Sequence, residues 1–581
     1  MKRTWRFLLL IVFAISFSHG WSQSTIFEKS GGTKTATYTA VIEFYKQLDK
    51  RSPVIKMTAQ GPTDSGFPLN LVLISGDGEW SPAAWHRAGK VVILINNGIH
   101  PGEPDGIEAT MMLARDIADK KIVLPENVAL AIIPVYNIGG ALNRNSFSRV
   151  NQEGPVEYGF RGNAQNLDLN RDFVKCDSKN ARSFASIFHF FDPDIFIDNH
   201  VSDGADYQHT MTLITSQFDK MGEPLGSWVK RTFEPSIYKE MKSRGQVLVP
   251  YVNANGKDVS KGFTQFYDPP RYSTGYGSLF QTISFMPETH MLKPFAERTR
   301  ATYLLMQSFL KQSGVHARQI VALRKAARQA MQVQQTFPLQ WAVDTSSSDM
   351  IQFNGYEAGY KKSKISGLPV LYYDRNKPYT RQLPFYNHYV PTKTAKAPKA
   401  YVIPQGWWAV IELLQLNGVK MERFKTDTSL TVSSTRIQSV KSLPYAYEKH
   451  HKNYDVKLDV SQQHVPFRKG DYIIYLDQPA RRYIIEMLEP EGDDSFFAWN
   501  FFDAILQQKE GFNDYRWNDL AEAFLDENPA VQKVLAEKIN TDTLFGKNLS
   551  AQLDFIYKRS PWYEAAHRQY PVYRIEQATR L

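Results

Sequence analysis

Four short, mostly apolar stretches, residues 91–95, 128–135, 194–197 and 282–285, punctuate the first half of the chain, and two of them break off directly into Asn96 and Asp198. Short, mostly apolar stretches of this length, bounded by polar residues, read as buried strands. Between them the sequence becomes amphipathic: residues 105–119 carry Ile107, Met111, Met112, Ala114 and Ile117 at helical spacing. Short buried strands alternating with longer amphipathic segments predict an α/β fold, a sheet covered by helices. In such sheets ligands collect where strands end, so the polar residues at those ends are the first candidates for chemistry.

The pattern runs from about residue 24 to 335 and then changes. Residues 294–335 read as helix-like, rich in Ala, Arg and Gln and interrupted at Gly314, and the run Thr-Ser-Ser-Ser-Asp at 345–349 reads as a loop. A domain boundary is therefore expected near 335, separating residues 24–335 from a mixed α and β accessory region, 336–581. Within that region, 391–404 reads as a second linker, 407–416 as a helix stopped at Gly418, 472–476 as a strand, and 496–507 and 529–538 as helical. Its aromatic groups, Trp407-Trp408 and Phe496 to Trp499, read as core.

Residues 1–22 read as a signal peptide: Lys2, Arg3 and Arg6 precede an apolar run, with small and polar residues after it and a cut expected within 20–24. The run is about half of the roughly 20 residues a spanning helix needs, so an exported, periplasmic or extracellular protein without a stable membrane span is expected. Cys176 is the only cysteine, which excludes an internal disulfide and leaves His, Asp and Glu to build any metal site. The net charge of +10 is spread along the chain without a dense basic run, a pattern that argues against a nucleic-acid partner. Oligomeric state is not legible.

The strand at 91–95 leads through Asn96-Asn-Gly-Ile to His100-Pro-Gly-Glu103, and the strand at 194–197 leads through Asp198-Asn to His200. Two His and one Glu form a recurrent ligand set of catalytic zinc, which leaves a fourth position open for water. Between them stands Arg161-Gly-Asn-Ala-Gln-Asn-Leu-Asp168-Leu-Asn170-Arg171-Asp-Phe173. A guanidinium can take a carboxylate bidentately, so Asn170 and Arg171 can clamp the terminal carboxylate of a substrate. The strand at 282–285 runs on through Met-Pro to Glu288, a carboxylate able to take a proton from water and return it to a leaving amine. Each piece alone has an ordinary reading as a turn, a salt bridge or a cap; their common position at strand ends gives them weight together.

In this order His100-x-x-Glu103, Arg161, Asp168-Leu-Asn170-Arg171, His200 and Glu288 resemble the zinc carboxypeptidase family, the carboxypeptidase A-like metallopeptidases, over about residues 24–312. The resemblance implies an α/β/α sandwich around a mixed twisted sheet and one zinc ion per chain on His100, Glu103 and His200. It implies Glu288 as general base, Arg161 as the group that polarises the scissile carbonyl, and Asn170 with Arg171 as the carboxylate clamp. Asp168 is implied to orient the first zinc histidine, a role that ligating imidazoles require in any case. Phe173 belongs to the same pattern and is expected in the core.

The function so implied is hydrolysis of the C-terminal peptide bond by a zinc-activated water, with a free-carboxylate peptide as partner. A substrate-binding tyrosine is implied ahead of the base; Tyr272 and Tyr276 are its equal candidates, with Tyr267 nearby. The stretch from Arg271 to Ser278 lacks the family's usual signature of Gly, Ser and Asp, so the specificity pocket is unassigned and Arg271 reads as a loop arginine. His209, His290, His450 and His451 have no companions at ligand spacing and read as structural. Three other functions stand beside the first: a peptidoglycan stem-peptide peptidase, an N-acyl amino acid amidohydrolase with the same metal set, and a non-catalytic peptide-binding module.

Overall fold

The computed structural model describes residues 23–254 and 258–577; the expected signal peptide, 1–22, lies outside them. Among the described residues ten strands precede the long helix of the first half: β1 (Ile55–Pro62), β2 (Pro68–Ile74), β3 (Val91–Asn96), β4 (Val128–Ile133), β5 (Ile195–Asp198), β6 (His200–Ser202), β7 (Met211–Thr215), β8 (Val249–Pro250), β9 (Phe263–Thr264) and β10 (Ile283–His290). All but β9 form one mixed sheet in the order β1-β2-β4-β3-β5-β10-β7-β8, with β6 paired on β10. The four apolar runs read from the sequence are β3, β4, β5 and β10. The centre of the sheet, β4, β3, β5 and β10, is parallel, and β7 returns antiparallel to β10.

The two-residue period of β3 explains the layers. Val91, Ile93 and Ile95 face one core with the helices Tyr38–Arg51, Asp105–Ala118 and Phe295–Val333, while Val92 and Leu94 face another with the helix Lys179–Phe191. A strand apolar on both faces must be covered on both, which is why the run carries no alternation. Phe173 is buried in the second of these cores, as expected.

Four expectations are corrected. Trp408 is exposed and not core, although its neighbour Trp407 packs against the core. Gly314 does not interrupt its helix, which runs unbroken from Phe295 to Val333. A Cβ at Gly314 would stand 2.8 Å from Pro125 Cβ, so glycine lets the 122–127 loop lie against the helix. Residues 391–404 are not a linker: they lie in the strands Tyr389–Lys396 and Ala400–Ile403, the latter fully buried between Tyr472–Tyr475 and Tyr573–Ile575. Residues 496–507 fold as turns ending in the short 3₁₀ segment Asp503–Leu506, because Phe496, Phe497, Trp499 and Phe502 are all buried and no one-sided helix could hide them all.

The second half builds a six-stranded sheet, a long hairpin (Asp349–Lys362 with Pro369–Tyr386) and the helices Asp514–Glu527, Pro529–Thr541 and Leu549–Tyr557. It is joined to the first half through shared structure. β9 pairs with the end of the long hairpin, and Tyr401, Ile411, Leu414 and Tyr483 share a core with Phe188 and Phe280. Among the described residues no helix is long and apolar enough to cross a membrane.

Replacing a helical glycine by alanine ordinarily stabilises by about 1 kcal/mol. At Gly314 the contact with Pro125 reverses the sign: Gly314→Ala should lower stability by about 1–3 kcal/mol through overpacking, read as a lower midpoint in urea denaturation.

Candidate metal centre and cleft

β3 ends at Asn96, and the chain turns through His100 and Glu103 before the helix Asp105–Ala118 begins. That helix starts hard against the strand end it faces. A Cβ at Gly106 would lie 2.5 Å from both Asn97 and Asn199, so glycine there permits the approach. His200 opens β6, one residue past β5, and is the register partner of Glu288 on β10. Parallel pairing thus sets the expected base beside an expected ligand, with Met286, two residues before Glu288, and its partner Ile214 lining the same cleft.

His100, Glu103 and His200 are 2–4% exposed, and their donor atoms lie within 4.8 Å of one another. Each imidazole turns Nδ1 toward a different oxygen of Glu103, both at 3.2 Å. Each turns Nε2 to a carboxylate: His100 to Asp168 Oδ1 at 2.9 Å, His200 to Asp198 Oδ2 at 3.0 Å. The carboxylates accept, so Nε2 carries the hydrogen and Nδ1 keeps its lone pair. His100 Nδ1 is buried without a hydrogen-bond partner, and so is Glu288 Oε2. Two inward lone pairs, a buried carboxylate and no soft ligand fit a zinc ion.

The electrostatics agree with that fit. Burial works to raise Glu103, but Arg149 and the two imidazoles turned toward it outweigh that and hold the group well below the usual carboxylate range. Burial likewise opposes ionisation of Asp168, and His100, Arg161 and Arg171 overcome it. His200 is raised well above the ordinary imidazole value: burial lowers it, and Asp198, Glu103 and Glu288 more than compensate. Glu288 is pushed up to about 8, first by burial and then by Glu103 and Asp198, against the pull of His200 and Arg161. A divalent cation supplies the positive charge that protons otherwise bring to such a cluster.

The cleft above these residues has a volume of about 510 Å³ and includes Arg161, Asn170, Arg171 and Tyr272 among its walls. Arg161 places Nε and Nη2 on Asp168 Oδ2, at 3.0 and 2.8 Å, and leaves Nη1 3.7 Å from Glu103 Oε1. Arg171 lies over the Tyr272 ring, 4.3 Å from its centroid.

Tyr276 corrects the expectation that it touches substrate. It is fully buried, packed against Phe188 and Phe280, with its hydroxyl donating to Asn417 Oδ1 at 2.7 Å. Tyr267 points away as well, its hydroxyl bonded to Asp493. Arg271 is paired with Asp494 of the second half at 2.6 Å, and is not the solvated loop arginine expected. His209, His290 and His450 bond to Val247 O, Ala205 O and Asp177 Oδ2, structural partners in each case.

Several residues here had not been singled out. Asp198 had a readable signal, since residues two apart on a strand share a face and Asp198 precedes His200 by two. Arg149 had none: it packs over Gly102, where a Cβ would meet its Cδ at 2.5 Å, and places Nη2 3.0 Å from Glu103 Oε1. Tyr447 and Glu448 come from the far half of the chain to meet Arg171 and the Asp168 amide.

Comparison with known proteins bears on this arrangement. Residues 41–261 match the zinc carboxypeptidase family, a stretch that contains all three candidate ligands and ends before Glu288. Carboxypeptidase 2 of Trichophyton equinum is 21% identical over 444 residues, covering 71% of this chain and 74% of that protein; Carboxypeptidase 2 of Trichophyton rubrum is 20% identical over 428 residues, with the same coverage. Among solved structures, carboxypeptidase A from Helicoverpa armigera aligns with a TM-score of 0.37 at 16% identity, over 50% of this chain and 75% of that one. A metallo-carboxypeptidase from Pseudomonas aeruginosa aligns with a TM-score of 0.36 at 15% identity, over 49% and 70%.

Removing the carboxylate that orients a ligating imidazole typically weakens metal binding about 10- to 100-fold. Asp198→Ala should do so here, measured as zinc lost to a competing chelator, with the fold retained by circular dichroism.

Proposed function

Because the chain belongs to the zinc carboxypeptidase family, we propose that its cleft removes the C-terminal residue of peptides, with Glu288 as the proton carrier and Asn170 and Arg171 as the groups that hold the substrate's free carboxylate. The observation that carries this reading is the convergence of three functions on one cleft: the His100, Glu103 and His200 donors, a buried unpartnered carboxylate oxygen on Glu288, and an arginine held ready at one end. A zinc ion on the three donors would supply Lewis-acid polarisation of the scissile carbonyl and of the attacking water.

The protein's own part follows from which atoms are free. Glu288 takes a proton from the attacking water as the oxygen bonds to the carbonyl carbon, then delivers it to the departing amine nitrogen when the C–N bond breaks. Arg161 has two of its nitrogens committed to Asp168 Oδ2, so Nη1 is the donor left to meet the carbonyl oxygen as negative charge grows there. Arg171 donates Nη1 to Asn170 O at 2.8 Å and Nε to the Tyr447 hydroxyl at 3.1 Å, and its Nη2 edge is left for a carboxylate. Tyr272, stacked under that guanidinium, fixes its plane. Asn170 Oδ1 is buried without a partner, and its amide lines the same end of the cleft.

The leader read in residues 1–22 supports work outside the cytoplasm, on peptides met after export.

Glu288→Gln should retain zinc and lose about 10²- to 10⁴-fold in kcat, the range for a positioned acid–base group. Unchanged turnover in that variant would remove Glu288 from the role. Arg171→Ala should weaken hydrolysis of peptides with a free C-terminus much more than of the same peptides amidated, followed by mass spectrometry of a peptide library carrying both ends. Equal losses on the two sets would replace the exopeptidase reading with an endopeptidase or a deacylase.

A further inference from the structure

The second half of the chain sends one tight turn, Tyr447 to His450, into the back of the cleft. Its two ends bond reciprocally, Tyr447 N to His450 O at 2.8 Å and His450 N to Tyr447 O at 3.1 Å, which closes a two-residue hairpin. The central residues, Glu448 and Lys449, have φ of 47° and 76°. A turn with both central residues at positive φ is ordinarily built from Asn-Gly or a similar pair, because a Cβ makes this backbone costly. Such strain persists where surrounding contacts over-determine it, and it concentrates at functional sites.

Those contacts are specific. The Tyr447 hydroxyl accepts from Arg171 Nε at 3.1 Å, and its ring stacks on Trp499 at 6.0 Å and 18°. Glu448 Oε2 accepts from the backbone N–H of Asp168 at 2.8 Å. His450 Nε2 bonds Asp177 Oδ2 at 2.8 Å and anchors the turn's far end. Glycine at 448 would relax the backbone and remove the carboxylate that reaches Asp168. The sequence thus accepts a strained tip and keeps two functional groups on it.

We propose that this turn makes Tyr447 and Glu448 positioning residues of the cleft: Tyr447 holds Arg171 in the orientation that receives a substrate carboxylate, and Glu448 fixes the Asp168 segment that orients His100. The first half of the inference rests on the carboxylate role given to Arg171; the second rests on the hydrogen bond from His100 to Asp168 and is independent of it. Arg171 has no freedom to search once it is held by Asn170 O, Tyr447 and the Tyr272 ring together, so a terminal carboxylate meets a pre-formed donor edge. Glu448 acts at the other end of the same loop. By holding the Asp168 amide it sets where the Asp168 side chain meets Arg161 and His100.

The test uses the full chain loaded with zinc, with matched peptides bearing free and amidated C-termini. Tyr447→Phe keeps the ring on Trp499 and deletes one oxygen. It should raise KM for free-carboxylate peptides about tenfold, the effect of one hydrogen bond to a charged group, with little change in kcat, in amidated substrates or in zinc retention. Glu448→Ala should weaken zinc retention against a chelator by about tenfold, and Glu448→Gln, which keeps an accepting oxygen, should restore it. Equal losses on both peptide sets in Tyr447→Phe would mark the turn as packing only and overturn the first half. Unchanged zinc retention in Glu448→Ala, or no rescue by Gln, would overturn the second. Arg171→Ala separates the two readings: if it abolishes discrimination between free and amidated peptides while Tyr447→Phe does nothing, the turn's role falls and the clamp stands; if neither variant alters discrimination, the clamp itself falls.

Discussion

Two carboxylates, the half-buried Asp168 and the buried Asp198, take the Nε2 sides of His100 and His200, and the rest of the centre is arranged around those two hydrogen bonds. An imidazole offers its two nitrogens to opposite sides, so fixing one fixes what the other presents. Holding Nε2–H outward on both rings forces both Nδ1 lone pairs inward toward Glu103. Burying so many ionisable groups is costly unless each is satisfied. Here the orienting carboxylates are themselves held: Asn96 donates to Asp198 Oδ1 at 3.0 Å, while Arg161 and the Asn170 amide donate to Asp168. The atoms left over, His100 Nδ1 and Glu288 Oε2, are those that a metal and a substrate water would use.

The sheet makes this arrangement possible through register. Asn96 on β3 pairs with Asp198 on β5, and His200 on β6 pairs with Glu288 on β10. A slip of one residue in either pairing would turn a functional side chain to the opposite face of the sheet. The fully apolar interiors of β3, β4 and β5 resist such a slip because both faces are already packed against helices. Core packing and site geometry are here one requirement, since the same strands that bury the apolar residues end on the polar ones.

This also explains what the sequence made legible. Short, mostly apolar runs identify the central strands because strands buried on both faces carry few polar residues, and the metal turn is readable because its residues are close in sequence to a strand end. The α/β class and the His100, Glu103 and His200 set follow from such local signals. Gly314 was misread because glycine lowers helix propensity everywhere, whereas here packing against Pro125 decides the outcome. Tyr272 and Tyr276 look alike in sequence because they are four apart in one short segment; they part because Tyr272 is the extended residue just before the helix Ser273–Leu279 and lines the cleft, whereas Tyr276 lies within that helix and packs into the core. The strands Tyr389–Lys396 and Ala400–Ile403 were hidden by lysines and prolines that look like linker until their pairing partners, far along the chain, are known.

The partners of Arg171 and of the Asp168 amide were the least legible, because Tyr447 and Glu448 lie more than 270 residues away from them. A boundary near residue 335 marks a change in sequence character, yet the core continues across it and so does the cleft's supporting network. The two ends of the cleft are therefore built differently. The metal ligands sit on strand ends and one turn of the first half and depend on sheet register, with His100 also reached from the second half through Glu448 and Asp168. The carboxylate end depends on docking of the second half, where Tyr447, Glu448 and Asp494 meet Arg171, Asp168 and Arg271. Shifts in how the second half packs would reach Arg171 through Tyr447 and His100 through Glu448 and Asp168, while His200 stays on strands buried on both sides. Binding of a terminal carboxylate and hydrolysis beside it thus rest on supports that meet at Asp168, which bonds His100 through its side chain and Glu448 through its backbone N–H.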